Sequence, residues 1–361
     1  MDAAPVRRVA NLDLLRAAAI VPVVLANAGT EGVLTGTLGR LADSGWVGVD
    51  LFFVLSGWLI GGLYWKERER YGNLQIGRFW ARRWLRTVPP YMVALVFVYT
   101  ARAALTDNAD PFDWRYLAFL QNYTGTPYWG VSWSLCVEEH FYLALPLVLG
   151  LGLRFRGGVP ILLGLAAIGS LVARVLTVPD GANPWGFHYA ATHMRLEGLA
   201  LGVAAAWVYQ CRPDLWPALR RVGRLLVLPG LAFVASVPWL PLDVLNRYAY
   251  SGVDLAFLAV LIAVVDARPL PWATSRTVRV IALTSYSVYM TQATSFDAYN
   301  RLVGKALPGV SEPIHLVAGI LLVGAVGAAF YAAVEHPTLW FRRRLAPRRS
   351  DVPSPALVAA N

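Results

Sequence analysis

The stretch GVDLFFVLSGWLI, residues 48–60, decides the fold class of this chain. It carries one ionisable side chain, Asp50, in an apolar run that extends over residues 46–65. A transmembrane helix needs about 20 such residues, so we predict a membrane-spanning helix here. Asp50 is costly in lipid, and such residues usually face the interior of a helix bundle. Ser56 and Gly57 offer a small surface against which a second helix can pack closely.

Similar apolar runs recur along the whole chain. Hydrophobic residues make up 57% of the 361 residues, charged residues make up 15%, and the mean hydropathy is +0.49. Soluble domains are nearer half apolar and a quarter charged. We predict an all-α integral membrane protein with one transmembrane domain over residues 1–345 and a disordered basic tail over 346–361. About ten spans are predicted, over residues 11–28, 46–65, 88–106, 138–153, 158–178, 196–211, 225–240, 250–266, 278–296 and 314–334.

The basic residues predict the orientation of these spans. The formal net charge of +10 is compatible with a nucleic-acid partner, but the apolar composition argues against one, and we expect none. With a cytoplasmic N-terminus, 22 of the 32 Lys and Arg residues lie in loops on that side and 6 in loops on the other. This bias follows the positive-inside rule. We therefore predict a multi-pass protein of the cell inner (cytoplasmic) membrane with both termini cytoplasmic.

The polar side chains of the first predicted span include Asp13, Arg16 and Asn27. Asp13 and Arg16 are three residues apart and can pair on one face of the helix. Arg16 and Asn27 are eleven residues apart, close to three full turns, so they share a face at depths about 16 Å apart. Polar groups at both depths suggest a cavity. The structural alternative is an Asp–Arg pair with an interhelical hydrogen bond from Asn27.

Polar residues also gather near the ends of other predicted spans. Glu138, Glu139 and His140 open the fourth span, where carboxylates favour the helix dipole and an imidazole can carry protons near neutral pH. Adjacent helical residues point about 100° apart, so the two carboxylates cannot face one cavity equally. The other polar groups are His193, Arg195 and Glu197 at the start of the sixth span, and a stripe over residues 284–292 of the ninth.

Several segments share their order along the chain with one known family. They are LDLLR at 12–16, GVDLFFVLSGWLI at 48–60, RFWARRWLRTVPPY at 78–91, WSLCVEEHFY at 133–142, THMRLE at 192–197, SYSVY at 285–289 and EHP at 335–337. Together they resemble the acyltransferase-three family of bacterial membrane proteins, whose members acylate sugars, polysaccharides and some antibiotics from cytoplasmic acyl-CoA. The resemblance implies an O-acyltransferase that acts on a hydroxyl of a sugar, a lipid-linked glycan or a natural product.

The polar residues and the resemblance together assign roles along this chain. The expected catalytic residues are Asp13, Arg16, Asn27, Asp50, Glu138, Glu139, His140, Arg195 and Glu197. The acyl-CoA donor is expected to bind at Arg78, Arg82, Arg83, Arg86 and Tyr91. Substrate contacts are expected from Trp133, Ser134, His193, Tyr286, Tyr289 and Gln292. The expected partners are acyl-CoA, membrane lipid and a small-molecule or glycan acceptor, without a metal.

Two positions depart from the family pattern. Where the resemblance implies a catalytic histidine in the first span, this chain has Asn27, and where it implies a second histidine in the ninth span, this chain has Gln292. Amide side chains do not take up a proton near neutral pH, and a general base contributes about 10² to 10⁴ in rate. The base would then be Glu138, Glu139 or His140, or the acceptor would itself be nucleophilic.

Two other functions stay open from the sequence. A repurposed family member could use its carboxylates to protonate an apolar, isoprenoid-like substrate, and its aromatic rings could shelter the resulting cation. A non-catalytic member could bind or transport a lipid-linked sugar or an acyl group. Turnover of acyl-CoA distinguishes the acyltransferase from both.

Overall fold

The computed structural model describes residues 10–345 except 31–32, 35, 73–74, 107–110, 125–128 and 308. The predicted disordered tail over 346–361 lies outside the described residues. All regular elements within the described ranges are helical, which confirms the all-α prediction. The α-helices of these ranges are α1 (Ala10–Thr30), α2 (Gly36–Asp43), α3 (Val47–Tyr71), α4 (Ile76–Leu105), α5 (Trp133–Gly152), α6 (Gly158–Thr177), α7 (Phe187–Ala190), α8 (Glu197–Cys211), α9 (Trp216–Ser236), α10 (Leu242–Val244), α11 (Tyr250–Val264), α12 (Arg276–Tyr299), α13 (Glu312–Phe330) and α14 (His336–Leu345).

Eight helical segments of the described ranges are long and apolar enough to cross a membrane, by length and composition. They coincide with eight of the ten predicted spans. These segments are Ala10–Thr30, Leu41–Tyr71, Ile76–Leu105, Gly130–Gly152, Gly158–Thr177, Trp216–Trp239, Leu242–Val264 and Glu312–Arg342.

The other two predicted spans fall on α8 and α12. Helix α8 has 15 residues, a length of about 22 Å, which is shorter than a hydrocarbon core of about 30 Å. Helix α12 has 24 residues and is long enough, but a stripe of Ser, Thr and Tyr side chains lowers its hydropathy. The count of ten spans and the cytoplasmic position of both termini therefore stay predictions.

Helix α3 lies at the centre of the bundle. In the apolar stretch within Leu41–Tyr71, 72% of the residues are buried, against 11% within Trp216–Trp239, which exposes its leucines as a lipid-facing helix does. Helix α1 packs between α3 and α12, and α12 also packs on α13 and α4. Helices α8 and α11 support α3 from the other side. This arrangement leaves the interior between α1, α3, α4, α5 and α12 for the polar residues of the spans.

Helices α3 and α8 approach each other closely because both carry glycine at the crossing. A Cβ atom built on Gly57 would lie 2.1 Å from the carbonyl oxygen of Leu199, and one on Gly202 would lie 2.2 Å from that of Val54. Any larger side chain would force the two backbones apart. The close packing predicted at Gly57 is confirmed, whereas Ser56 instead donates a hydrogen bond to α5.

Candidate active site

In the described part of the chain, predicted site residues line two neighbouring cavities of the bundle. One, here named the basic cavity, has a volume of about 240 Å³, and its wall includes Arg16, Arg83, Arg86 and Arg342. The other, here named the aromatic cavity, has a volume of about 410 Å³, and its wall includes Trp46, Trp129, Trp133 and Trp185. The two cavities adjoin, because two side chains line both of them, Val49 and Tyr289.

The cavities follow one another along the helix axes. On α5, Trp133 lines the aromatic cavity, and the next residue, Ser134, lines the basic cavity together with Glu138. On α1 the order is reversed, with Arg16 at the basic cavity and Asn27 at the aromatic cavity. The sequence predicts one cavity reaching from Arg16 to Asn27. The structure has two, because Tyr289 stands between them.

A carboxylate of α5 is held inside the basic cavity by two hydroxyl groups. Ser56 Oγ donates to Glu138 Oε1 at 2.9 Å, and Tyr142 Oη donates to Glu138 Oε2 at 2.7 Å. The guanidinium of Arg83 lies 4.1 Å from the centre of the Tyr142 ring. Both carboxylate oxygens of Glu138 therefore accept a hydrogen bond.

The same cavity contains a second carboxylate, on the helical stretch Tyr331–Glu335 that follows α13. Glu335 Oε2 accepts a hydrogen bond of 2.6 Å from Ser287 Oγ. Tyr286 also lines this cavity, and its hydroxyl donates to the carbonyl oxygen of Thr87 at 3.2 Å. With four guanidinium groups against two carboxylates, the wall of the basic cavity is cationic, which suits an anionic ligand such as a phosphate.

The aromatic cavity combines tryptophan rings with a few polar groups. Asn27 donates from Nδ2 to the carbonyl oxygen of Val23 at 3.0 Å, within its own helix. Asp297 and Arg301, one turn apart on the far wall, form an ion pair of 2.5 Å between Oδ1 and Nε. Apolar walls with few polar groups are typical of binding pockets for organic ligands.

Sequence reasoning missed Asp297 and Arg301 as wall residues. The predicted ninth span ends at residue 296, which assigns both residues to a loop. In the structure α12 continues to Tyr299, and this extra turn brings the Asp297 side chain to the cavity wall. An acidic residue directly after a polar stripe is the signal that could have indicated it.

The predicted residues Asp50 and Arg195 lie behind the aromatic cavity. They form an ion pair of 2.8 Å, and each side chain is 1% exposed. The Arg195 guanidinium lies 4.0 Å from the centre of the Tyr250 ring. It also lies over the rings of three residues that line the aromatic cavity, Trp46, Trp133 and Tyr189. The pair thus supports the aromatic wall from behind.

A second buried ion pair lies close to the first. Arg174 pairs with Glu197 at 2.7 Å, and Ser251 Oγ donates to Glu197 Oε1 at 2.6 Å. Arg174 also donates to the carbonyl oxygen of Met194. Glu197, predicted to be catalytic, therefore joins α8 to α6 and α11. A buried ion pair of this kind is costly to break, because one charge would be left without a partner.

Of the two predicted histidines, His140 contacts the segment that precedes α8, and His193 belongs to that segment. Nδ1 of His140 lies 2.7 Å from Oγ1 of Thr192, which also accepts a hydrogen bond of 2.9 Å from Asn122. The ring of His193 stacks on Tyr123, with ring centres 6.0 Å apart and planes 11° apart. Neither histidine lines either cavity. These contacts hold the connecting segments against the N-terminal half of α5.

Tyr91, predicted to bind the donor, instead packs beneath the aromatic cavity. Its hydroxyl donates to the carbonyl oxygen of Tyr116 at 3.0 Å and accepts from Gln121 Nε2 at 3.0 Å. Its ring stacks on that of Trp129, with centres 5.3 Å apart. Trp129 lines the aromatic cavity, so Tyr91 positions a wall residue.

The structure divides the predicted site residues into two groups. Those that line a cavity are Arg16, Asn27, Arg83, Arg86, Trp133, Ser134, Glu138, Tyr286 and Tyr289. Those that line neither are Asp13, Asp50, Arg78, Arg82, Tyr91, Glu139, His140, His193, Arg195, Glu197 and Gln292. As expected for adjacent residues, Glu138 faces a cavity and Glu139 does not. The chemical roles of both groups stay predictions.

The comparison with protein families shows the class of this membrane protein. Residues 9–334 match the model of the acyltransferase-three family, described as an acyltransferase domain. The chain therefore belongs to this family. The resemblance inferred from its motifs is confirmed.

Named relatives are O-acetyltransferases. The chain is 25% identical to the peptidoglycan O-acetyltransferase OatA of Listeria monocytogenes over 366 aligned positions, which cover 91% of this chain and 55% of that protein. It is 27% identical to the O-acetyltransferase OatA of Staphylococcus aureus over 226 positions, which cover 56% of this chain and 35% of that protein. The chain thus spans between about a third and about half of the length of the curated relatives it matches. No solved structure matches it.

Proposed function

We propose that this protein transfers an acyl group from acyl-CoA, bound at the basic cavity, to a hydroxyl group of a glycan bound in the aromatic cavity. The observation that carries the proposal is the juncture of the two cavities at Tyr289 and Val49. A donor and an acceptor that enter from opposite ends of the bundle can meet there without either one crossing the membrane.

The walls of the basic cavity support an acyl-CoA donor. Four arginines border it, and guanidinium groups bind phosphate through paired, charge-assisted hydrogen bonds. Topology alone accounts for arginines in loops but not for their convergence on one cavity. The volume of about 240 Å³ is below the roughly 300 Å³ at which pockets for drug-sized ligands begin. We therefore expect the thioester end to enter while the phosphates stay at the arginines.

The aromatic cavity supports an organic acceptor with hydroxyl groups. Its four tryptophans offer flat apolar surfaces, and Asn27, Asp297 and Arg301 offer hydrogen-bonding groups beside them. The relatives named above carry O-acetyltransferase in their names, and one is named for peptidoglycan. These names favour acetyl as the acyl group and a glycan as the acceptor.

The geometry argues against acid-initiated chemistry on an isoprenoid. That chemistry needs a protonated carboxyl group facing an apolar substrate. Glu138 instead accepts hydrogen bonds from Ser56 and Tyr142 in a cavity bordered by four arginines, so it faces cationic groups and not an apolar substrate. Asp50 and Glu197 are paired with arginines and line neither cavity.

The test is turnover by the purified chain in lipid nanodiscs. Radiolabelled acetyl-CoA is incubated with the protein and a panel of glycans, and both free CoA and labelled glycan are measured. We expect the two products to appear in equal amounts. Binding of acetyl-CoA without release of CoA, for every acceptor offered, would support the non-catalytic alternative and overturn the proposal.

A further inference from the structure

The two cavities are separated by one hydrogen-bonded side chain. The hydroxyl of Tyr289 lies 2.5 Å from Ser134 Oγ and donates to the carbonyl oxygen of Val131 at 2.9 Å. Tyr289 belongs to α12, Ser134 to the first turn of α5, and Val131 to the turn before it. The hydroxyl therefore bridges two walls of the bundle at the level where the cavities meet.

Neighbouring residues complete this partition. Trp133 faces the aromatic cavity and Ser134 the basic cavity, so the boundary on α5 falls between consecutive residues. On α3 the ring of Phe52 meets that of Tyr289 edge-on, with centres 6.4 Å apart. Tyr289 itself is 7% exposed. A rotation of the Tyr289 side chain would break both hydrogen bonds and join the cavities.

We infer that Tyr289, held by Ser134 and Val131, is a gate that admits the acyl group and limits its size. The inference rests on the proposed function. When the gate is closed, it separates the thioester from water in the aromatic cavity. Water can reach this cavity because the side chain of its wall residue Arg301 is 39% exposed. Excluding water from a reactive intermediate is a general function of closed active sites.

When the gate is open, one of two reactions can follow. With acceptor bound, the acceptor oxygen attacks the acyl carbon, the carbon–sulfur bond breaks, and the hydroxyl proton ends on the sulfur of free CoA. If water takes the place of the acceptor, the same bond breaks, and the products are free CoA and the carboxylic acid. A larger opening admits water and longer acyl chains alike.

The first experiment compares Tyr289→Ala with the wild type in nanodiscs, using acetyl-CoA and octanoyl-CoA. In the variant we expect acceptor-independent release of CoA to rise about tenfold, since water then reaches the thioester. We also expect octanoyl transfer to increase relative to acetyl transfer. Tyr299→Ala is the matched control. Tyr299 is another buried tyrosine of α12, its hydroxyl lies 2.9 Å from His315, and it lines neither cavity.

Tyr289→Phe covers the case in which the alanine variant does not fold. It keeps the ring but loses both hydrogen bonds, so a smaller rise in hydrolysis is expected, again relative to Tyr299→Phe. Unchanged hydrolysis and unchanged chain-length preference in a folded Tyr289 variant would overturn the gate. They would leave the proposed acyl transfer standing, because the wild type tests that separately.

A second readout does not depend on acyl transfer. Proteoliposomes that contain a pH-sensitive dye report proton leakage through the protein. Joined cavities should raise the leakage of Tyr289→Ala about tenfold over wild type and over Tyr299→Ala, because water then fills a path that the ring had closed. Equal leakage in all three proteins would contradict the gate, even if the wild type transferred no acyl group.

Discussion

Asp50 of α3 and Arg195, just before α8, form an ion pair of 2.8 Å in which each side chain is 1% exposed. The pair joins the central helix to the end of a neighbouring one, directly behind the tryptophans of the aromatic cavity. Its burial explains why residues that the motifs mark as catalytic do not reach the cavity. Their positions are set by the need to give each buried charge a partner.

Asp50→Asn is expected to destabilise the protein by about 3–5 kcal/mol, because it leaves the Arg195 charge buried and unpaired. Arg195→Met should cost a similar amount for the converse reason. Thermal unfolding in detergent measures both. The double variant should lose less than the sum of the two single changes, and strictly additive losses would show that the pair does not act as a unit.

Gly57→Ala is expected to lower the unfolding temperature strongly. The new Cβ atom would lie 2.1 Å from the Leu199 carbonyl oxygen, so α3 and α8 would have to separate. Gly164→Ala in α6 is the matched control, since a Cβ there meets nothing within 4 Å. Removing a flexible glycine from a helix should leave that control unchanged or raise its stability by about 0.5–1 kcal/mol. Equal behaviour of the two variants would contradict close packing at Gly57.

Arg86→Gln is expected to raise the KM for acetyl-CoA about tenfold or more, since a hydrogen bond to a charged group is worth roughly 1.5–3 kcal/mol. Arg86 lines the basic cavity. Arg156→Gln removes the same charge from an exposed position that lines neither cavity and should leave KM unchanged. A similar rise in both variants would mean that the arginines act through overall charge, and the donor site would have to be sought elsewhere.

Asp297 is the one residue with a carboxylate among the described residues that line the aromatic cavity. If it accepts the hydroxyl proton of the acceptor, Asp297→Asn should lower kcat by about 10²- to 10⁴-fold. If this variant kept the wild-type kcat, Asp297 would not be the proton acceptor. Glu138 would then be the next candidate, and Glu138→Gln would test it.

Asn27 lines the same cavity as Asp297, so Asn27→His places an imidazole there. In the Asp297→Asn background this second change is expected to restore part of kcat. Only the neutral imidazole can accept a proton, so the restored rate should fall as the pH drops through about 6.5, the ordinary pKa of histidine. A restored rate without this pH dependence would mean that the imidazole is not the proton acceptor.

The sequence determined the class of fold because hydropathy depends only on local composition. Apolar runs located the helices, and the motifs identified the family. The sequence also shows that Asn27 and Gln292 replace two histidines of the family pattern. The depth of a residue along a helix also followed, since the helical rise is fixed. The helical rise alone therefore places Arg16 and Asn27 at different depths.

Only the tertiary structure decided which polar residues meet in a cavity, because that depends on partners brought by other helices. Arg195 and Glu197 belong to one motif, yet they pair with charges on two different helices, Asp50 of α3 and Arg174 of α6. Asp297 reaches the aromatic cavity because α12 continues beyond its apolar stretch. The division of one expected cavity into two depends on Tyr289 meeting Ser134, a contact between residues 155 positions apart that no local pattern encodes.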